Sequence, residues 1–213
     1  TALDRDVTVN DGGTLRYSSD TAYTGTATFN NGATLSGTNW GGNLDGLTVG
    51  AGMTVAPGTS PGQATSVDQT WAPAGSFELE INDAEGVAGV NWDHLALSGE
   101  LDISGLDSGN PFIVELATLD ADGEAGEMLN YFYKDDYTWD FLSFDSLNGT
   151  FSSDLFQVDT SAFANDATGA LFQVVENGDS LALQFTGIPE PGSIVLLGLC
   201  GIALCGRRRV RMA

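Results

Sequence analysis

Apolar and polar residues alternate in bursts of three or four along the N-terminal third of the chain. Each burst stops at an Asn-, Asp- or Gly-rich turn. Such bursts are too short for helices and carry the two-residue period of strands. They also recur. Val7-Thr8-Val9-Asn10-Asp11-Gly12-Gly13-Thr14-Leu15 aligns with Ala27-Thr28-Phe29-Asn30-Asn31-Gly32-Ala33-Thr34-Leu35 and with Leu47-Thr48-Val49-Gly50-Ala51-Gly52-Met53-Thr54-Val55, each step twenty residues long. A fixed period made of two short strands around a turn predicts an all-β chain wound as a β-solenoid, or parallel β-helix, with one coil per repeat. Alternation turns Val7, Ala27, Leu47, Val9, Phe29, Val49, Leu15, Leu35 and Val55 inward. It turns Thr8, Thr28 and Thr48 outward as one ladder and Thr14, Thr34 and Thr54 as another. Gly12, Gly32 and Gly52 recur where each corner needs a positive φ or a close backbone approach.

The period of twenty holds over residues 1–62, and strand-like repeats run on to residue 105. Across 44–105, Pro57-Gly58-Thr59-Ser60-Pro61-Gly62, Phe77-Glu78-Leu79-Glu80-Ile81, Asp93-His94-Leu95 and Gly99-Glu100-Leu101-Asp102-Ile103 resemble the passenger repeats of autotransporter-type β-helix proteins. The translocating barrel of that family has no counterpart in the sequence. Over 106–186 the period fades into an irregular β-rich continuation or cap, with Asn177-Gly178-Asp179 reading as a hairpin turn.

Composition agrees with strands and turns. The chain has 28 glycines and 42% hydrophobic residues over 213 positions, enough for one domain with a core. The net charge is −22, and four of the seven basic residues, Arg207, Arg208, Arg209 and Arg211, lie at the C-terminal end. What precedes them is therefore strongly acidic, a surface that repels nucleic acid and anionic lipid and attracts divalent cations. Both cysteines, Cys200 and Cys205, fall in the C-terminal apolar run, which leaves none in the β-rich part for a disulfide or metal site.

That C-terminal run, within 187–213, carries the clearest motif. Pro189-Glu190-Pro191 is followed by an uncharged stretch from Ser193 to Gly206 and then by the arginines, which stop translocation on the cytoplasmic side. As a helix rising about 1.5 Å per residue, the stretch spans about 21 Å, short of the roughly 30 Å hydrocarbon core. The order of box, short helix and basic cluster resembles the PEP-CTERM sorting signal, a tail also called an ice-binding protein C-terminal domain. The resemblance implies recognition of Pro189, Glu190 and Pro191 by an exosortase-type membrane protease and a stop-transfer role for Arg207, Arg208, Arg209 and Arg211. It implies a short C-terminal transmembrane helix before processing, export to the cell envelope or release to the matrix, and extracellular polysaccharide as a companion. An N-terminal signal peptide, removed or upstream of Thr1, is expected with it.

Candidate chemistry elsewhere is sparse. Asp120, Asp122, Glu124 and Glu127 cluster around two glycines. Calcium takes six to eight oxygens on a sharply turning loop and is the one cofactor this segment invites, although the EF-hand spacing is missing and a solvated acidic loop explains it as well. His94 follows Asp93 without a nucleophile motif. Glu78 and Glu80 share one strand face, as glycosidase carboxylates do, or as an ordinary solvated face does. The aromatic run from Tyr131 to Phe144 suits core packing, with sugar stacking on Trp139 as the alternative. The reading is a non-enzymatic exported surface or matrix protein. The alternatives are a carbohydrate-binding adhesin, an ice-binding protein using the Thr ladders, or a polysaccharide-degrading β-helix protein.

Overall fold

A computed structural model describes residues 5–50 and 52–187. It is all-β, with no α-helix among the described residues and one 3-10 turn at Ser153–Leu155. Seventeen strands follow in order: β1 (Val7–Val9), β2 (Thr14–Tyr17), β3 (Ala27–Phe29), β4 (Thr34–Gly37), β5 (Leu47–Val49), β6 (Thr54–Pro57), β7 (Gln63–Ser66), β8 (Gln69–Trp71), β9 (Ser76–Ile81), β10 (His94–Leu97), β11 (Glu100–Asp102), β12 (Phe112–Thr118), β13 (Tyr137–Ser143), β14 (Ser146–Asn148), β15 (Phe156–Ala162), β16 (Leu171–Glu176) and β17 (Ser180–Thr186).

Short strands separated by turns cannot pair with their sequence neighbours without a hairpin, and here they pair with the strand one circuit on. The longest ladder runs β2-β4-β6-β9-β12-β15, all parallel. A second side is built from β1-β3 and from β5-β8-β11-β14, again parallel. The third side, β7-β10-β13, is parallel until β17 and β16 extend it antiparallel. From β5 onward the chain visits the three sides in the same order on each circuit.

Register follows the sequence repeat where the repeat is visible. Val7 faces Ala27, Leu15 faces Leu35 and Leu35 faces Val55, each twenty residues apart. Thr8 and Thr28, in register, are both exposed, as is Thr48, while Val9, Leu35, Val49 and Val55 are buried. At the corners Gly12, Gly32 and Gly52 all have φ between +70° and +79°, and their amides form a ladder, Gly12 to Gly32 and Gly32 to Gly52. A Cβ on Gly32 would meet Asp11 Oδ1 at 2.0 Å and one on Gly52 would meet Asn31 Oδ1 at 2.0 Å, so each corner glycine seats the turn side chain of the coil before it.

Beyond residue 62 the parallel pairing persists while the spacing grows. Thr54 pairs with Ser76, Phe77 with Val114 and Phe112 with Phe156. Residues 82–93 and 119–136, inserted between the longest ladder and the third side, supply much of the extra length. The fading repeat is therefore a matter of loops, and the inward row continues as Leu15, Leu35, Val55, Phe77, Val114 and Val158. The hairpin turn is present: Asn177 N donates to Ser180 O, and Gly178 takes φ +62°.

Aromatic rings fill the core beside this row. Trp71 stacks flat on Phe112 at 4.1 Å between ring centroids, and Phe77 packs at 5.0 Å on Phe141. Trp40, Trp71, Trp139 and Phe77 are all fully buried. Phe77→Ala should cost about 3–5 kcal/mol, since it empties the centre of the inward row. Thr28→Ala, on an exposed position of the neighbouring side, should stay within about 0.5 kcal/mol. Urea denaturation of the two variants checks the assignment, and equal losses would show that the faces are wrong.

Candidate functional site

Among the described residues, the outward side chains of the longest ladder gather several titratable groups. Glu78 on β9, Glu115 on β12 and Asp159 on β15 lie in one cross-strand row. Parallel neighbours sit about 4.8 Å apart, so three carboxylates stand side by side. With Glu80, Ala117 and Ser161 they line a shallow groove of about 270 Å³. A smaller hollow of about 90 Å³ adjoins it, where Arg16, Ser36 and Pro57 meet the same two glutamates.

Burial against the sheet raises the pKa of Glu78, and the nearby charges of Glu80 and Glu115 raise it further. At the exposed end of the row the opposite holds, because the backbone and hydroxyl of Ser161 hydrogen-bond Asp159 and hold its pKa down. Glu78 therefore takes up a proton before Asp159 does. Chemically the row is a strip of acceptors for protons and hydroxyl groups.

At the corner between sides, Asp93 is buried. Its Oδ1 accepts from Gly62 N at 2.7 Å and its Oδ2 from Glu80 N at 3.0 Å, so one carboxyl ties the start of β7 to β9. Burial drives its pKa well above the ordinary aspartate value, against the pull of those two amides. In the sequence Asp93 stood out only as the neighbour of His94, and its clamping role was missed. His94 beside it is half-buried, and burial lowers its pKa despite the charge of Asp140.

The structure separates the other sequence candidates. Asp120 turns its carboxylate on its own loop, Oδ1 accepting from Asp122 N at 2.9 Å and from Glu124 N at 3.1 Å. Asp122, Glu124 and Glu127 point to solvent, and among the described residues no group of three or more carboxylate, histidine or cysteine side chains is placed to hold a metal ion. The four acids of that segment thus form an Asx-type loop and are not gathered as calcium ligands. Trp139 is 0% exposed and its Nε1 donates to Ala84 O at 3.0 Å, so no sugar ring reaches it. Pro189, Glu190, Pro191, Arg207, Arg208, Arg209, Arg211 and the expected transmembrane helix lie outside the described residues. Among the described residues no helix is long and apolar enough to cross a membrane.

Sequence reasoning found Glu78 and Glu80 but missed Glu115 and Asp159. The twenty-residue period predicts no partner for Glu78 at those positions, because the inserted loops move them.

Comparison with known families gives one match, the PEP-CTERM protein-sorting motif over residues 187–209. The chain carries an exosortase-type sorting signal. The motif implies an exported, cell-envelope-associated protein processed by an exosortase-type membrane enzyme. No curated protein and no solved structure matches the chain.

Both Glu78 and Asp93 hold protons more tightly in the folded chain than in the unfolded one. Their contribution is most favourable below the unfolded carboxylate values of 4.5 and 3.8 and is lost as pH rises through the raised folded values. The urea midpoint should therefore fall from mildly acid pH toward neutrality, and Glu78→Gln should flatten that slope. Asp93→Ala should destabilise at every pH by about 2–5 kcal/mol, since two buried amides lose their acceptor. A Glu78→Gln variant with the parental pH slope would show that the row does not perturb Glu78.

Proposed function

We propose that this chain is a non-enzymatic surface or extracellular-matrix protein whose body is a β-solenoid and whose tail is its export and sorting address. The observation that carries the reading is the position of the sorting motif, which begins at Gly187, directly after β17 ends at Thr186. The last described strand and the address are thus consecutive in the sequence. The three parallel ladders support the solenoid reading, since each coil buries its apolar side only against the next. Such a body is a rigid spacer with an acidic exterior, suited to contact with polysaccharide and cations in a matrix. The likeness to autotransporter passengers rests on the sequence patterns between residues 44 and 105. In this reading the apolar stretch after Pro191 enters the membrane until the enzyme acts.

Deleting Pro189 through Pro191 should leave the body's melting transition unchanged while abolishing processing in cells that make an exosortase-type enzyme. The deleted chain should keep the mass of its tail and stay in the membrane fraction. Mass spectrometry of fractionated cells reads both, and a product of normal mass in its normal location would sink the sorting assignment.

A further inference from the structure

The aromatic run that begins at Tyr131 divides into two populations. Tyr131 packs at 5.6 Å on Phe163 and 5.4 Å on Phe185, and its hydroxyl donates to Asp166 O. Tyr137 and Trp139 stack on one another inside the core at 5.5 Å. Phe132 and Tyr133 do neither. Phe132 is 49% exposed, its ring lies 5.3 Å from that of Tyr133, and the Lys134 ammonium sits over both rings at 5.9 and 5.3 Å. A tight turn holds the group outward, with Asp135 N donating to Phe132 O at 3.0 Å.

This turn grips the point where the sorting motif leaves the body. Gly187 N donates to Asp136 Oδ1 at 2.9 Å, and Gly187 is buried. A Cβ there would meet Lys134 C at 2.5 Å and Asp135 O at 2.9 Å, so only glycine lets the two backbones approach this closely. Residues 188–192 separate Gly187 from the apolar stretch. Even fully extended, at about 3.3–3.6 Å per residue, they reach only about 20 Å. Wherever that stretch enters a bilayer, the turn is held within that distance of the hydrocarbon edge.

We propose that Phe132, Tyr133 and Lys134 form a juxtamembrane foot that rests in the headgroup region of the bilayer while the tail is inserted. Aromatic rings with an apolar body and a polar tip settle at that depth, and a lysine there keeps its ammonium in the wet layer while its stem lies along the rings. Asp135 and Asp136 flank the foot, so it suits a zwitterionic surface better than an anionic one. The foot would fix how the body stands relative to the membrane and present Pro189, Glu190 and Pro191 at a constant height to the processing enzyme. The inference rests on the reading that the apolar stretch enters the membrane.

The test uses the full chain with phosphatidylcholine vesicles, combining flotation with hydroxyl-radical footprinting. The chain should float, and oxidation of Phe132 and Tyr133 should drop about threefold or more relative to the chain without vesicles. Val67, exposed at the far end of the third side, should oxidise equally in both samples. Phe132→Asp, a change at a half-exposed position, should restore oxidation of Tyr133 on vesicles. A chain that floats with Phe132 and Tyr133 oxidised at the free rate overturns the foot and leaves the tail reading standing. A chain that does not float overturns both. Protection that is absent on vesicles and appears only with membranes containing an exosortase-type enzyme assigns the turn to that enzyme and overturns the lipid assignment.

Discussion

A strand on one coil of this chain has nothing to bury its apolar side chains against except the strands of adjacent coils, and the rest of the molecule depends on that stacking. The row Leu15, Leu35, Val55, Phe77, Val114 and Val158 is where the dependence is plainest, because each residue touches the next across a parallel backbone ladder. Register and packing therefore enforce one another. A slip of one residue would turn the row outward and bring Glu78 and Glu115 into the core. The corner glycines serve the same constraint by letting each turn nest on the one before.

This economy explains what could be read in the sequence. Where coils have nearly equal length, in the first three repeats, the alignment of Leu15, Leu35 and Val55 anticipated which residues pair along the longest ladder. After residue 62 each circuit still crosses the same sides, but residues 82–93 and 119–136 make successive coils unequal. An alignment at constant spacing cannot register Phe77 on Val114 or Phe112 on Phe156, although the strand patterns themselves remain visible. Tolerance of such insertions is physical: lengthening a surface loop adds little closure entropy, whereas altering the row beneath it would be costly. The turn at Asn177-Gly178-Asp179 was legible because its signal is local.

The candidate site was legible only in part for the same reason. Glu78 and Glu80 announce an outward face by alternation alone, but the acids beside them in space come from two later coils. Asp93 was hidden by a different cause. Its role depends on the amides of Gly62 and Glu80 converging at one corner, and no residue pattern encodes that convergence. In the acidic segment from Asp120 to Glu127, closeness in sequence left a shared ligand and a solvated loop both open, and the structure shows the Asp120 carboxylate turned onto its own loop's amides. The sorting motif needed no fold to be recognised, being a linear signal read in extended order.

The last strand has a mechanical consequence. β17 lies between β13 and β16, antiparallel to both, and is the last strand before the sorting motif. Tension applied through the tail therefore enters along the axis of a strand bonded on both flanks. The two rows of backbone hydrogen bonds are loaded together, in shear, and cannot be opened one at a time as in a peeled hairpin. Resistance to such a pull is a rate set by the unfolding barrier and need not track equilibrium stability. A pull along β17 is thus shared by β13 and β16 from the outset.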